Sequence, residues 1–232
     1  MTEGSYQQFC PVAMASEVLG SRWTINLVRE LVCGSTRFND LRRGLPRMSP
    51  ALLSKRLKEL ETHGIVERVA SKRDRDVMEY RLTDAGRELA PIVQAIGVWG
   101  HRWTASKPQL NNLDASLLMW DMRRSLKVDD LPDRRIVIQF IYPERNKSER
   151  NWWILVDPKD GADLCLVDPG FDVDLFVQTD LRTMTAIWMG LDTIANAIEA
   201  DRMSLIGDKA IQANMLDWLG LSMFAPVEKQ VA

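Results

Sequence analysis

The stretch that most restricts what this chain can fold into is 49–64, SPALLSKRLKELETHG, which runs straight into Ile65-Val66-Glu67-Arg68. Ser49 is a helix cap, and Pro50 suits the first helical position, where its missing N–H costs nothing. Leu52, Leu53, Leu57 and Leu60 then recur at helical spacing, and Gly64 stops the helix. At about 100° per residue the four leucines share an arc of about 140°, with Ala51, Ser54, Lys55, Lys58 and Thr62 on the opposite side. An apolar back with a front of small and basic side chains fits a DNA major groove. Small residues let the backbone approach base edges, and lysines neutralise phosphates. The same pattern also describes an amphipathic helix whose polar face meets only water, so the neighbouring segments decide.

Upstream, Phe38-Asn39-Asp40-Leu41-Arg42-Arg43-Gly44-Leu45 reads as a short helix, separated from the next by Pro46-Arg47-Met48. Two helices joined by a tight connection make a helix-turn-helix with the second as reader. Downstream, 64–70 and 77–82 are β-rich runs flanking Ser71-Lys72-Arg73-Asp74-Arg75-Asp76, a hairpin with a charged tip. Such a wing suits phosphate or minor-groove contact, although Asp74 and Asp76 dilute its charge. The candidate DNA contacts are therefore Arg37, Ser49, Pro50, Ala51, Ser54, Lys55 and Lys58, with Lys72, Arg73 and Arg75 on the wing. Arg56 falls on the leucine arc, so it either reaches round to a phosphate or is held by an acid such as Glu30 or Asp40.

Several ordered motifs resemble the HxlR family of bacterial winged-helix regulators, of the broader MarR-like type. They are Cys10-Pro11-Val12, Leu19-Gly20-Ser21-Arg22-Trp23-Thr24, and Leu27-Val28-Arg29-Glu30-Leu31 with Gly34. Arg37-Phe38-Asn39-Asp40-Leu41, the 49–64 segment, Tyr80-Arg81-Leu82-Thr83 and Ala85-Gly86 continue the likeness over about residues 8 to 105. The resemblance implies a homodimer on a palindromic double-stranded DNA operator, with the 49–63 helix in the major groove. It also implies that Cys10 is a candidate redox or electrophile sensor. There the first-turn amides and a nearby Arg22 would lower the thiol pKa. The alternative for Cys10 is a small buried hydrophobe. Cys33, in an apolar helical run, reads as core.

Charge divides the chain. Residues 1–107 carry 17 Lys and Arg against 12 Asp and Glu, whereas 108–232 carry 13 against 20, giving the net charge of −2. DNA repels an acidic second half, so the basic first half is the one expected at the phosphates. The 232 residues exceed one domain of about 100–150 residues, so two are expected, 1–107 and 108–232, with 106–109 as hinge. No run approaches the roughly 18 apolar residues of a membrane span, and the start of the chain lacks a signal-peptide pattern. A cytoplasmic protein without membrane contact is expected. Three scattered cysteines and two histidines, His63 and His101, form no metal pattern, and no cofactor is expected.

From Thr83 to about Trp103 the chain reads as a long helix kinked at Pro91. In the family a helix here pairs with its counterpart in a second subunit, and Trp99 and Trp103, four apart, are the residues expected at that interface. The alternative is a helix that caps its own domain. Beyond it, 113–125 reads as a helix and 135–142, 151–157, 163–167 and 172–179 as strands, whose close spacing implies antiparallel neighbours. Helices at 180–190 and 191–200, a strand at 203–206 and a helix at 208–219 complete an α+β domain. It has no histidine, phosphate loop or nucleophile elbow, and no enzyme activity is expected.

The second half holds five of the eight tryptophans and seven of the eleven methionines, which serve either as core or as the lining of an apolar cavity. Asp174-Leu175-Phe176-Val177-Gln178-Thr179-Asp180-Leu181-Arg182-Thr183, then Trp188-Met189-Gly190, is similar to sterol-carrier-protein-like domains. That likeness spans roughly 110–220 and is clearest over 172–212. It implies a small, mostly antiparallel sheet covered by helices, with a hydrophobic tunnel. Trp120, Phe140, Trp153, Met184 and Trp188 are the candidate ligand contacts. Bulky Ala186-Ile187-Trp188-Met189 departs from the pattern and would partly fill a tunnel. Taken together, these features describe a winged-helix regulator modulated by a hydrophobic small molecule. The alternative is a lipid carrier or enzyme accessory with vestigial DNA binding.

Overall fold

The computed structural model describes residues 5–72, 74, 76–105 and 112–231. The expected hinge at 106–109 therefore lies outside the described residues, as do Arg73 and Arg75. The chain divides into two compact units, Met1–Gly97 and Val98–Ala232.

In the first unit, α1 (Pro11–Leu19), α2 (Thr24–Val32), α3 (Phe38–Gly44) and α4 (Pro50–Thr62) precede a hairpin of β1 (Val66–Ala70) and β2 (Met78–Leu82). The hairpin is antiparallel with Val66 opposite Leu82 and Ala70 opposite Met78. Its core is built from Leu27, Leu31, Leu41, Leu53, Leu57 and Leu60, each at most 5% exposed. Glu30 lies fully buried among these helices. Its carboxylate accepts from Ser35 Oγ at 3.1 Å and meets the Arg29 guanidinium. Gly44 leaves the room for it, since a Cβ there would stand 2.0 Å from the carboxyl group.

The expected long helix is divided. A single turn, α5 (Asp84–Arg87), is followed by α6 (Ala90–Trp103). Pro91 therefore sits in the first turn of α6, where a missing N–H costs no hydrogen bond, and does not kink an existing helix.

The second unit is α+β. It takes in the last turns of α6 from Val98, and its next helix is α7 (Ala115–Ser125), N-capped by Asp114, which accepts from Leu117 N–H at 3.1 Å. The strands β3 (Ile136–Ile141), β4 (Asn151–Asp157), β5 (Gly161–Cys165), β6 (Leu175–Thr179) and β7 (Met203–Gly207) form one sheet in the order β5-β4-β3-β6-β7. Three of its pairings are antiparallel, but β3 and β6 run parallel, against the expectation from spacing. The reason is Asp174, just before β6. Its carboxylate accepts from Val137 N–H at 2.8 Å and from Arg134 at 2.6 Å, and its own N–H donates to the Val137 carbonyl. These bonds seat β6 beside β3. Ile136, Val137 and Ile138 are buried in succession, so neither face of the central strand is open to water.

The helices of this unit are shorter than the sequence suggests. After the short α8 (Lys147–Arg150) come α9 (Leu181–Trp188), α10 (Ile194–Glu199), α11 (Lys209–Ala213) and α12 (Met215–Leu219). Asp180, Thr193 and Asp208 cap α9, α10 and α11 through their side chains, and the turn at Asn214 splits the expected 208–219 helix. Among the described residues no helix is long and apolar enough to cross a membrane, and no cluster of His, Cys, Asp or Glu could hold a metal.

Candidate nucleic-acid interface and apolar cavity

Helix α4 starts where the sequence places it. Ser49 Oγ accepts from Leu52 N–H at 3.3 Å, Pro50 occupies the first turn, and Gly64 ends the helix at a φ of +68°. Leu53, Leu57 and Leu60 are at most 1% exposed and Leu52 is half-buried, whereas Pro50, Ala51, Ser54, Lys55 and Lys58 are exposed. The helix therefore presents a small, basic face to solvent, with Ser49 at its capped end. Lys55 stands 4.0 Å from Glu59 with 68% of its side chain exposed, an arrangement loose enough for its ammonium to turn to a phosphate.

Arg56 takes neither of the acidic partners named above. It pairs with Glu59 one turn along, and its Nε donates to the Arg22 carbonyl at 3.2 Å. Only 15% of its side chain is exposed. It ties α4 to the α1–α2 connection and is not part of the solvent face. Glu30 is engaged by Arg29 and Ser35, and Asp40 stands 3.5 Å from Arg43.

At the wing, Ser71 N–H donates to the Val77 carbonyl at 2.8 Å and Val77 N–H to the Asp74 carbonyl at 3.0 Å. Lys72 is exposed beside the tip. Arg37 lies at the start of α3 and bridges to Glu79 of β2. The Glu79 carboxyl is held below the usual carboxylate range by Ser71 and Arg81 and, more weakly, by Arg37. Arg37 thus sits next to a fixed negative charge. Thr36 adds a backbone tie, its carbonyl accepting from Tyr80 N–H at 2.8 Å.

Cys10 precedes Pro11 at the start of α1 and is half-buried. The Ala13 and Val12 amides facing its sulfur hold the thiol below its ordinary pKa, but Arg22 plays no part in that shift. Cys33 is exposed, not core, because it follows the last turn of α2 at the helix end. On α6, Ile92, Ile96, Trp99 and Trp103 are 49%, 44%, 62% and 50% exposed. Their spacing of four, three and four residues sets them on one face, an apolar stripe open to solvent.

The second unit contains a cavity of about 910 Å³, large for a small-molecule site. Ile187, Ile194, Ile198, Met215, Leu216 and Met223 form much of its apolar wall. None of the five expected ligand contacts lines it. Phe140, Met184 and Trp188 belong to the packed core, and Trp153 is 8% exposed on β4. Trp120 lies under the guanidinium groups of Arg123 and Arg124, at 4.2 and 5.6 Å from its ring centre. Large aromatic side chains fill this interior. The open space lies instead among aliphatic and methionine side chains, with Gly190, Ala195, Ala213 and Ala225 also at its wall.

Residues 18–108 match the family described as HxlR-like helix-turn-helix. The HTH-type transcriptional regulator YvaP of Bacillus subtilis is 40% identical over 97 residues, which cover 41% of this chain and 90% of that protein. The HTH-type transcriptional regulator sll1512 of Synechocystis is 37% identical over 94 residues, 40% of this chain and 70% of the relative. Among solved structures, the reduced form of the transcriptional regulator YodB from B. subtilis is 33% identical. It covers 40% of this chain and 92% of that one, with a TM-score of 0.35.

Proposed function

The chain belongs to the HxlR-like helix-turn-helix family, and from that premise we propose that it is a DNA-binding transcriptional regulator modulated by an apolar small molecule held in its second unit. The observation that carries the DNA reading is the division of α4, whose leucines are buried while Ala51, Ser54, Lys55 and Lys58 face solvent. In this reading α4 lies in a major groove, with its small residues next to base edges and its lysines at phosphates. The regulator works as a homodimer. The exposed stripe of α6 supports this, because burying Trp99, Trp103, Ile92 and Ile96 against a second copy removes four large apolar side chains from water. A two-fold dimer then reads a palindromic operator whose half-sites lie about 34 Å apart.

The cavity supports the small-molecule part, and the five-stranded sheet with its helices is consistent with the sterol-carrier-like reading of this unit. An effector acts through its different affinities for dimers with matched and mismatched reader spacing. Selection of the full chain against a random pool of double-stranded DNA tests the reading. The expected result is enrichment of a two-fold symmetric sequence, and Lys55→Ala and Lys58→Ala each weaken binding to it and reduce its salt dependence by about one phosphate contact. A folded double variant that binds as the parent does removes α4 as the reader.

A second input is supported at Cys10, where the helix-start amides favour the thiolate. Diamide or quinone treatment then alters operator binding in the parent and not in Cys10→Ser. An identical response in both proteins excludes the thiol.

A further inference from the structure

The polar groups around the cavity are already engaged. The Asp192 carboxylate accepts from Thr193 N–H at 2.8 Å and pairs with Arg202 at 2.7 Å. Thr193 Oγ1 accepts from Asn196 N–H at 3.1 Å, and the Gln212 amide donates to the Gly207 carbonyl at 2.9 Å. Among the described residues, no lysine, arginine or histidine lines the space. A carboxylate or phosphate head group would find no cation here, so the occupant that fits is an uncharged, apolar molecule.

One wall of the cavity is not a helix. Leu221, Ser222, Met223, Ala225 and Pro226 belong to the C-terminal segment, which lies against the space beside α9 and α12. It is pinned by Ser222 N–H donating to the Trp188 carbonyl at 3.0 Å, and Ala225 is pressed onto Gly190. Gly190 has a φ of +72°, and a Cβ there would come within 2.8 Å of Ala225. The same segment then reaches the end of α6. Gln230 N–H donates to the Arg102 carbonyl at 2.9 Å, Lys229 Nζ donates to the Thr104 carbonyl at 2.9 Å, and the Val227 backbone meets the ring of His101. His101 itself is 4% exposed and its Nδ1 has no side-chain or backbone donor facing it.

We propose that residues 221–230 form a strap that couples occupancy of the cavity to the C-terminal end of α6, the helix whose exposed stripe serves the dimer. The inference rests on the effector reading above and adds the route by which an effector acts. Pro226, in the cavity wall, is three positions from Lys229, which is bonded to Thr104. Gln230, four positions from Pro226, is held through its main-chain N–H, and that length of chain spans at most about 14 Å. A ligand that displaces the wall draws Val227, Lys229 and Gln230 away from the 101–104 turn, and the end of α6 is released from the bonds that hold it. In this proposal the arrangement seen here belongs to the empty cavity, and an occupied cavity favours the released one.

Nile red, an uncharged polycyclic dye, is the probe, used with the full chain and the duplex enriched by selection. The parent is expected to bind the dye saturably, to change its operator affinity by about 5–150-fold, and to exchange the Gln230 amide hydrogen faster with dye bound. Lys229→Met combined with Gln230→Pro removes both anchoring donors and leaves the cavity lining intact. This variant is expected to bind the dye like the parent, with operator affinity that no longer responds. Dye binding with unchanged Gln230 exchange, or an undiminished response in the variant, overturns the strap while leaving the effector reading standing. An operator affinity indifferent to bound dye in every protein, or no dye binding by the parent, overturns the effector reading and the strap with it.

Discussion

At the scale of single residues, neighbours decide what a side chain does. Arg56 and Lys58, two positions apart on α4, look interchangeable in sequence, yet one is tied to Glu59 and the Arg22 carbonyl and the other faces solvent. Lys58→Ala is expected to flatten the salt dependence of operator binding by about 0.9 in the log–log slope, the value of one neutralised phosphate. Arg56→Met is expected to lower the unfolding temperature and keep the parent's slope. A slope that changes in Arg56→Met and not in Lys58→Ala would exchange their roles. His101 is a further case. Burial, and then the Lys229 ammonium, hold it below its ordinary pKa of 6.5. A base with a lowered folded pKa takes up its proton more readily when unfolded. The stability it contributes is therefore full above 6.5 and is lost as pH falls below that value through the folded pKa. Unfolding curves from about pH 7 to about pH 5 are expected to fall more steeply for the parent than for His101→Gln. Parallel curves would contradict this.

At the scale of elements, the helix-turn-helix is legible in the sequence because each of its signals is local. The cap at Ser49, the proline at Pro50, the leucine period and the stop at Gly64 lie within one segment. The parallel pairing of β3 with β6 is not legible, because it depends on Asp174 bonding to Val137 and Arg134, about forty positions back along the chain. The cavity is hidden for a related reason. Size and aromatic character point to Trp120, Phe140, Trp153, Met184 and Trp188, but these side chains are packed in the interior or under neighbouring guanidinium groups, and the opening lies among Ile187, Ile194, Met215 and the C-terminal segment. Cys33 shows the same limit, since an apolar run does not reveal that its last turn ends in solvent. For α6, the proposed dimer predicts that Trp99→Glu sediments as a monomer where the parent sediments as a dimer, and that operator binding weakens at least about tenfold, because one half-site then binds without its partner. A variant that remains dimeric would place the interface elsewhere.

At the scale of the whole molecule, the overall charge of −2 conceals a basic first half and an acidic second half. The two compact units divide at Gly97–Val98, ten residues before the expected boundary at 107, with the candidate DNA face in one and the apolar cavity in the other. Truncation to residues 1–107 is expected to retain operator binding and lose any response to an apolar ligand, and a truncated protein that still responds would put the sensor within residues 1–107. The claim on which all of this depends is that α4 reads DNA as one of a symmetric pair. Hydroxyl-radical footprinting of the full chain on the selected duplex tests it most directly. The expected pattern is two protected patches on one face of the duplex, centred about 34 Å apart and related by two-fold symmetry, both lost with Lys55→Ala and Lys58→Ala combined. A single patch, or protection that survives the double substitution, would contradict it.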